Sequence, residues 1–313
     1  DRRRATAGAP DLAGRPAMSL ARRLEIQLGA AQMRTLERAL AAAAGLGRRT
    51  LAVDDLRLAA LARPGVGTPV VLIHGFGGDK ETWLLMAPWL RGRPLWIIDL
   101  PGHGGSTVID RRRATPAAMG AAVIGALDAA GIDRAHLVGN SMGGGIALWV
   151  ARHHAARVAS LTLVASAAPE LAESELTRAL ARGENLLIPG ADDGDRFMRM
   201  VVEKPPKVPR AVQRYVAARR AAARHTLEEM FRGWVEAAPA DALPRDLDAI
   251  DHPTLIIHGR CDRIIAVDTA RKVAATVPRS TLRVLDGIGH VPQLEAPRRV
   301  ARLLAEHLTR VTP

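Results

Sequence analysis

The chain is 313 residues long, 48% hydrophobic, with a formal net charge of +12 and a single cysteine. That length and apolar content suit a large core. The lone Cys261 excludes an internal disulfide, no apolar run approaches the ~20 residues of a membrane-spanning helix, and no Cys–His cluster has metal-ligand spacing. The charge is nearly all arginine, with lysine only at positions 80, 204, 207 and 272. Aromatics make up 3% of the chain and do not interleave with the basic residues, which argues against a nucleic-acid partner. The partner that this charge allows is an anionic membrane or micelle surface, weakly attracted.

Residues 1–17, rich in Arg, Ala, Gly and Pro, read as a disordered or loosely packed tail. The first residue is not methionine, so a processed upstream segment and a start at Met18 both stay open. No signal peptide is visible, and the expectation is a cytoplasmic enzyme. Residues 18–48 form an N-terminal helical segment. Its helix, Ser19 to Leu46, carries Leu20, Leu24, Leu28, Met33, Leu36 and Leu40 near one face, for packing on the rest of the protein or, alternatively, for lying in a membrane interface.

Arg49 to Ala62 reads as a hairpin turning at Asp54-Asp55. Strand and helix signals then alternate: a strand at Thr68–Ile73, a helix start at Asp79–Trp83, a strand at Leu95–Asp99, a helix opened by Thr115-Pro116, then Ala135–Val138 and a small-residue helix from Gly144 to Arg152. Alternation of this kind implies a parallel sheet with helices on both faces. After a strand at Leu161–Ala165, about eighty residues carry helical patterns broken at Pro189-Gly190 and Pro205-Pro206. We read 49–167 and 247–313 as the α/β core and 168–246 as an inserted helical cap. Phe197, Met198, Met200 and Val201 are candidates for its inner face, and Met198 for a substrate contact.

Three loops after strands carry the candidate chemistry. Gly139-Asn140-Ser141-Met142-Gly143 sits between a strand and a helix, where G-x-S-x-G forces a strained turn that lifts the serine hydroxyl and aims the Met142 N–H at a forming oxyanion. A nucleophilic serine needs a base, and the base an orienting carboxylate. Asp262 follows the strand Thr254–Gly259, and His290 follows Thr281–Leu285. Ser141 is therefore assigned as nucleophile, His290 as base and then acid, and Asp262 as the group fixing the imidazole tautomer, with Asp286 as the rival acid. His136 and His258 lie in strand runs and read as core or edge residues. His74-Gly75-Phe76-Gly77-Gly78 supplies a second oxyanion donor, the N–H of Phe76, with that of Gly77 as runner-up. Gly75, Gly77, Asn140 and Val291 join the candidate substrate contacts. No metal or cofactor is called for.

His74–Gly78, Asp99–Ser106, the serine turn, the strand-loop at Asp262 and Gly289–Glu295 together resemble the α/β-hydrolase superfamily, over roughly residues 49–310. Gly183–Leu187, Glu203–Pro209 and Arg214-Tyr215 resemble the cap segment of bacterial family V lipases and their monoacylglycerol-lipase-like relatives. The resemblance implies an α/β-hydrolase fold with an inserted α-helical cap and cofactor-free cleavage of carboxylic esters, acylglycerols or other medium-chain acyl esters. The elbow with asparagine also occurs in hydrolases that cut carbon–carbon bonds of ring-cleavage products. Serine at the elbow argues against the haloalkane dehalogenase and epoxide hydrolase branches. A non-catalytic ligand-binding member of the fold is the remaining alternative.

Overall fold

The computed structural model describes residues 19–188, 194–205 and 207–311. The tail read over residues 1–17, the start at Met18, and the breaks at Pro189-Gly190 and Pro206 lie outside the described residues. Helix α1 (Leu20–Ala43) is opened by Ser19, whose hydroxyl accepts the Arg22 N–H at 3.3 Å. Strands β1 (Gly47–Val53) and β2 (Leu56–Arg63) form the expected hairpin, antiparallel about Asp54 at φ 50°. Six further strands follow: β3 (Val70–Ile73), β4 (Leu95–Ile98), β5 (Ala135–Asn140), β6 (Val158–Val164), β7 (Thr254–Gly259) and β8 (Ser280–Leu285). They join in the order β1-β2-β4-β3-β5-β6-β7-β8, with β2 antiparallel to β4 and every pair from β4 to β8 parallel.

The sequence explains the sheet. Strands β3, β5 and β7 are buried at every position, as parallel strands covered on both faces must be. Val71 and Ile73 point to one face and Val70 and Leu72 to the other, following the two-residue period of a strand. The first face is covered by α2 (Pro116–Ala129), α3 (Met142–His153) and α7 (Val267–Thr276), through residues such as Met119, Val123, Ile146 and Val273. The second is covered by α9 (Pro297–Val311), through Val300, Leu304 and Leu308. Full burial of one such aliphatic side chain contributes about 1.5–3 kcal/mol. Thr115 caps α2 as its sequence promised, its hydroxyl accepting the Ala118 N–H at 3.2 Å, with Pro116 at the first helical position.

Two expectations change. The helix start at Asp79–Trp83 leads into two short 3-10 turns, Lys80–Trp83 and Ala87–Trp89. Asp99 holds the Lys80 backbone N–H at 2.7 Å, and Trp83, Leu84, Met86 and Ala87 are all buried. Helix α1 packs on α6 (Arg210–Val235) at Gly29, and of the predicted apolar face Leu40 packs against the core. Gly29 meets α6 so closely that a β-carbon there would lie 2.0 Å from the Ala211 carbonyl oxygen. Gly29 and Ala30 are buried, whereas Leu20, Leu24 and Leu28 are 73%, 56% and 54% exposed.

Between β6 and β7 the described residues hold no strand. They hold α4 (Glu175–Ala181), α5 (Gly194–Val201) and the long α6. Helix α6 crosses the loops at the carboxyl ends of β3 and β4: Phe231 meets Phe76 edge-on with ring centroids 5.8 Å apart, and Arg219 pairs with Asp79 at 2.7 Å. The remaining helix, α8 (Pro292–Glu295), follows the loop that carries His290.

Candidate active site

At the carboxyl end of β5 the chain turns directly into α3 at Ser141, whose φ of 53° and ψ of −119° are unusual for a residue with a side chain. The surroundings force this conformation. The Ser141 N–H donates to Val164 O at 3.0 Å, and its carbonyl accepts from Gly144, Gly145 and Ala167 at 2.9, 3.2 and 2.9 Å. Glycine is required on both sides: a β-carbon on Gly139 would lie 2.1 Å from the Gly143 carbonyl oxygen, and one on Gly143 2.4 Å from that of Ile73. The Met142 N–H opens α3 and, like that of Phe76, takes no hydrogen-bond partner among the described residues. Free N–H groups at a helix start are the expected consequence of helix geometry.

Asp262 lies on the turn after β7 and is buried. One carboxylate oxygen accepts the N–H groups of Ile264 and Ile265 at 2.8 and 2.9 Å; the other lies 2.8 Å from His290 Nδ1. Burial alone would raise this carboxyl. Positive charge on His290 and hydrogen bonds from His258 and His290 outweigh it and hold the group well below the usual carboxylate range. Asp262 thus stays ionised and accepts the His290 Nδ1–H, which turns the ring's Nε2 away from the carboxylate. Asp286 is exposed and pairs with Arg260 at the surface.

His258 is a core residue, as its strand pattern implied, with 0% exposure, but it also reaches this carboxylate. Its Nε2 lies 2.8 Å from Ile265 O and 3.3 Å from Asp262. An Nε2–H shared between two acceptors satisfies both. The sequence signal was its place four residues before Asp262, on the strand that delivers it.

The His290 loop is tied down from three sides. Its backbone N–H donates to Val201 O at the end of α5 at 2.9 Å, and its carbonyl accepts from the Asn140 amide at 3.2 Å. Glu295 accepts the N–H groups of Gly289 and Glu203, each at 2.9 Å. Asn140 is buried, and its amide nitrogen is committed to Val164 and His290 carbonyls, so it braces the loop from within. Val291 is buried directly after His290. Met198 is half-buried on α5, and no described interaction joins it to Ser141 or His290.

Gly75 abuts the serine: a β-carbon there would lie 3.0 Å from Ser141 Cβ. Two buried histidines hold this loop. His74 Nδ1–H donates to Gly75 O at 2.8 Å while Nε2 accepts the Leu100 N–H at 3.0 Å. His103 Nδ1–H donates to Pro101 O at 3.0 Å while Nε2 accepts the Gly77 N–H at 3.1 Å. Gly77 therefore has its N–H occupied, whereas the Phe76 N–H is uncommitted among the described residues. Burial lowers His74, and burial with neighbouring His74 pushes His103 down to about 3, so both rings are neutral donor–acceptor struts. Neither had a role in the reading of the sequence, although both lie inside glycine-rich motifs.

The arrangement offers a serine raised on a strained turn, two uncommitted N–H groups, and an imidazole aligned by a buried carboxylate. The chain is similar to known proteins along most of its length. Lipase 3 of Moraxella sp. (strain TA144) is 30% identical over 259 residues, 80% of this chain and 81% of that protein. The 2-hydroxymuconate semialdehyde hydrolase of Pseudomonas sp. (strain CF600) is 33% identical over 260 residues, 78% and 88% of the two chains. The acetyltransferase component of the acetoin cleaving system of Pseudomonas putida is 34% identical, but this chain spans 61% of its length. The crystal structure of a membrane phospholipase A, a bacterial virulence factor, superposes with a TM-score of 0.85 at 33% identity, covering 92% of each chain. Residues 68–297 match the family model described as alpha/beta hydrolase fold, and the chain belongs to that family.

Proposed function

We propose that the protein hydrolyses carboxylic esters, of the acylglycerol type or other medium-chain acyl esters, through an acyl-enzyme on Ser141. The observation that carries this reading is the buried Asp262–His290 pair at 2.8 Å, joined through Asn140 to the strand that presents Ser141 at φ 53°. His290 takes the proton of Ser141 as the hydroxyl attacks the ester carbonyl. The N–H groups of Met142 and Phe76 receive the tetrahedral oxyanion. His290 then protonates the leaving alcohol, and water activated by the same imidazole releases the acid. Helices α4 to α6, within residues 168–246, act as a cap over Ser141 that limits water and shapes the acyl site. The lipase and phospholipase similarity supports the ester class.

A panel of p-nitrophenyl esters from acetate to palmitate, with monoacylglycerol alongside and Ser141→Ala as control, tests this. Serine-dependent turnover with a medium-chain optimum is the expected result. The asparagine at the elbow and the 33% identity to a semialdehyde hydrolase favour a second reading, carbon–carbon cleavage of a vinylogous diketone acid. Rapid turnover of such an acid with little on aliphatic esters would select it. Absence of turnover on both, in folded protein, would select a binding role.

A further inference from the structure

Arg220 on α6 is half-buried. Its neighbour Arg219 takes Asp79 at 2.7 Å, and no acidic side chain pairs with Arg220 among the described residues. One guanidinium nitrogen donates to Leu187 O at 3.1 Å, and the group stacks on Phe197 with its central carbon 3.6 Å from the ring centroid. These contacts fix its plane without neutralising its charge. Its Nε is buried and has no hydrogen-bond partner. Burial and Arg219 push the guanidinium down to about 10, so it is still a cation at neutral pH. A half-buried cation without a counter-charge is costly, and a ligand can supply the missing anion.

Its position says which ligand. One Arg220 terminal nitrogen lies 3.6 Å from where a Gly77 β-carbon would stand, and Gly75 touches Ser141. Two peptide steps, at most about 7.6 Å, separate those glycines. A cavity of about 550 Å³ opens on the Gly77 side of this loop, lined by Gly77, Gly78, His103, Arg220 and Leu227, with Ser141 outside its lining. Its carboxylates Asp79 and Glu81 are engaged by Arg219 and Lys80; Glu37 is held toward its neutral form by burial and nearby Asp79. We propose that Arg220 receives an anionic oxygen of the substrate, a phosphate or a carboxylate carried by the ester on the Gly77 side of the loop. The inference rests on the ester-hydrolase reading and narrows its substrate class to anionic esters. A guanidinium fork binds either oxyanion in two parallel hydrogen bonds.

Matched substrates test it: 1-lauroylglycerol against 1-lauroylglycerol 3-phosphate, and p-nitrophenyl valerate against p-nitrophenyl hemiglutarate. Wild-type protein should prefer the anionic member of at least one pair in kcat/KM. The phosphate pair or the carboxylate pair then identifies the source. Arg220→Gln should lower the anionic-to-neutral ratio about tenfold or more, the size of a charged hydrogen bond, and Arg220→Lys should keep part of it. No anionic preference in wild type, or an equal loss on both members in Arg220→Gln, overturns the proposal. Calorimetric binding of octyl phosphate and octanoate, with octanol as control, reads the site even if no ester is cleaved. A Kd raised about tenfold by Arg220→Gln supports the proposal, and an unchanged Kd for both anions overturns it.

Discussion

Asn140 and His290 are joined by a 3.2 Å hydrogen bond from the Asn140 amide to the His290 carbonyl, so the residue before the serine positions the loop that carries the imidazole. Replacing Asn140 by Ala leaves the His290 carbonyl without its donor, while Val164 O keeps the Ser141 N–H, a cost of about 1–3 kcal/mol. In Asn140→Ala, kcat should fall about tenfold or more while KM changes little, because a displaced base affects the transition state more than binding. Steady-state kinetics at several pH values check this. Loss in KM alone would mean that Asn140 contacts substrate.

Asp262 and Asp286 make opposite predictions. Asp262→Asn removes the acceptor that fixes the His290 tautomer, and kcat should fall on the order of 10⁴-fold with the fold retained. Asp286 pairs with Arg260 at the surface, so Asp286→Asn should change turnover less than twofold. Parallel rates and melting curves for the two variants decide between the carboxylates.

Gly143 tests the turn itself. A β-carbon at Gly143 meets the backbone oxygens of Ile73 and His74 at 2.4 and 2.6 Å. Backbone cannot step aside as a side chain can. Gly143→Ala should cost at least the upper end of the ~1–3 kcal/mol typical of overpacking, read by chemical denaturation. Gly194 has nothing within 4 Å of the same position, and Gly194→Ala should be close to neutral.

Burial lowers five histidines: His74, His153, His103 (to about 3), and His136 and His307 (both to about 4). The unfolded chain takes up these protons near pH 6.5 and the folded protein does not. Stability should therefore be fully present above about pH 6.5 and fall as pH drops toward 4. The slope is up to about 1.4 kcal/mol per pH unit for each of the four buried histidines, and less for His153, which solvent screens. Denaturant midpoints between pH 7.5 and 5 measure it, and His103→Gln should flatten it by one histidine's share. A stability that does not change across that window would contradict the burial of these rings.

Much of the fold was legible because its signals are local. The buried runs of β3, β5 and β7, the Thr115-Pro116 start and the glycines around Ser141 each state their own geometry. Positions just past strand ends predicted that Asp262 and His290 would meet, since parallel strands deliver their carboxyl ends to one edge of the sheet. What stayed hidden depends on contacts between distant segments. His258 and His103 read as ordinary residues until the loops fold back onto Asp262 and Gly77. Helix α1 presents Gly29 to α6 and leaves Leu20, Leu24, Leu28 and Leu36 exposed, which a periodicity of apolar residues does not foretell. Asp99 reaching Lys80 turns an apparent helix start into a 3-10 turn.

The central claim is that Ser141 is the nucleophile and His290 its base. Labelling the full chain with a fluorophosphonate and mapping the adduct by mass spectrometry tests it most directly. The account predicts one equivalent on Ser141, none in Ser141→Ala, and labelling slowed by orders of magnitude in His290→Ala. No adduct in folded wild-type protein, or an adduct on another residue, would contradict it.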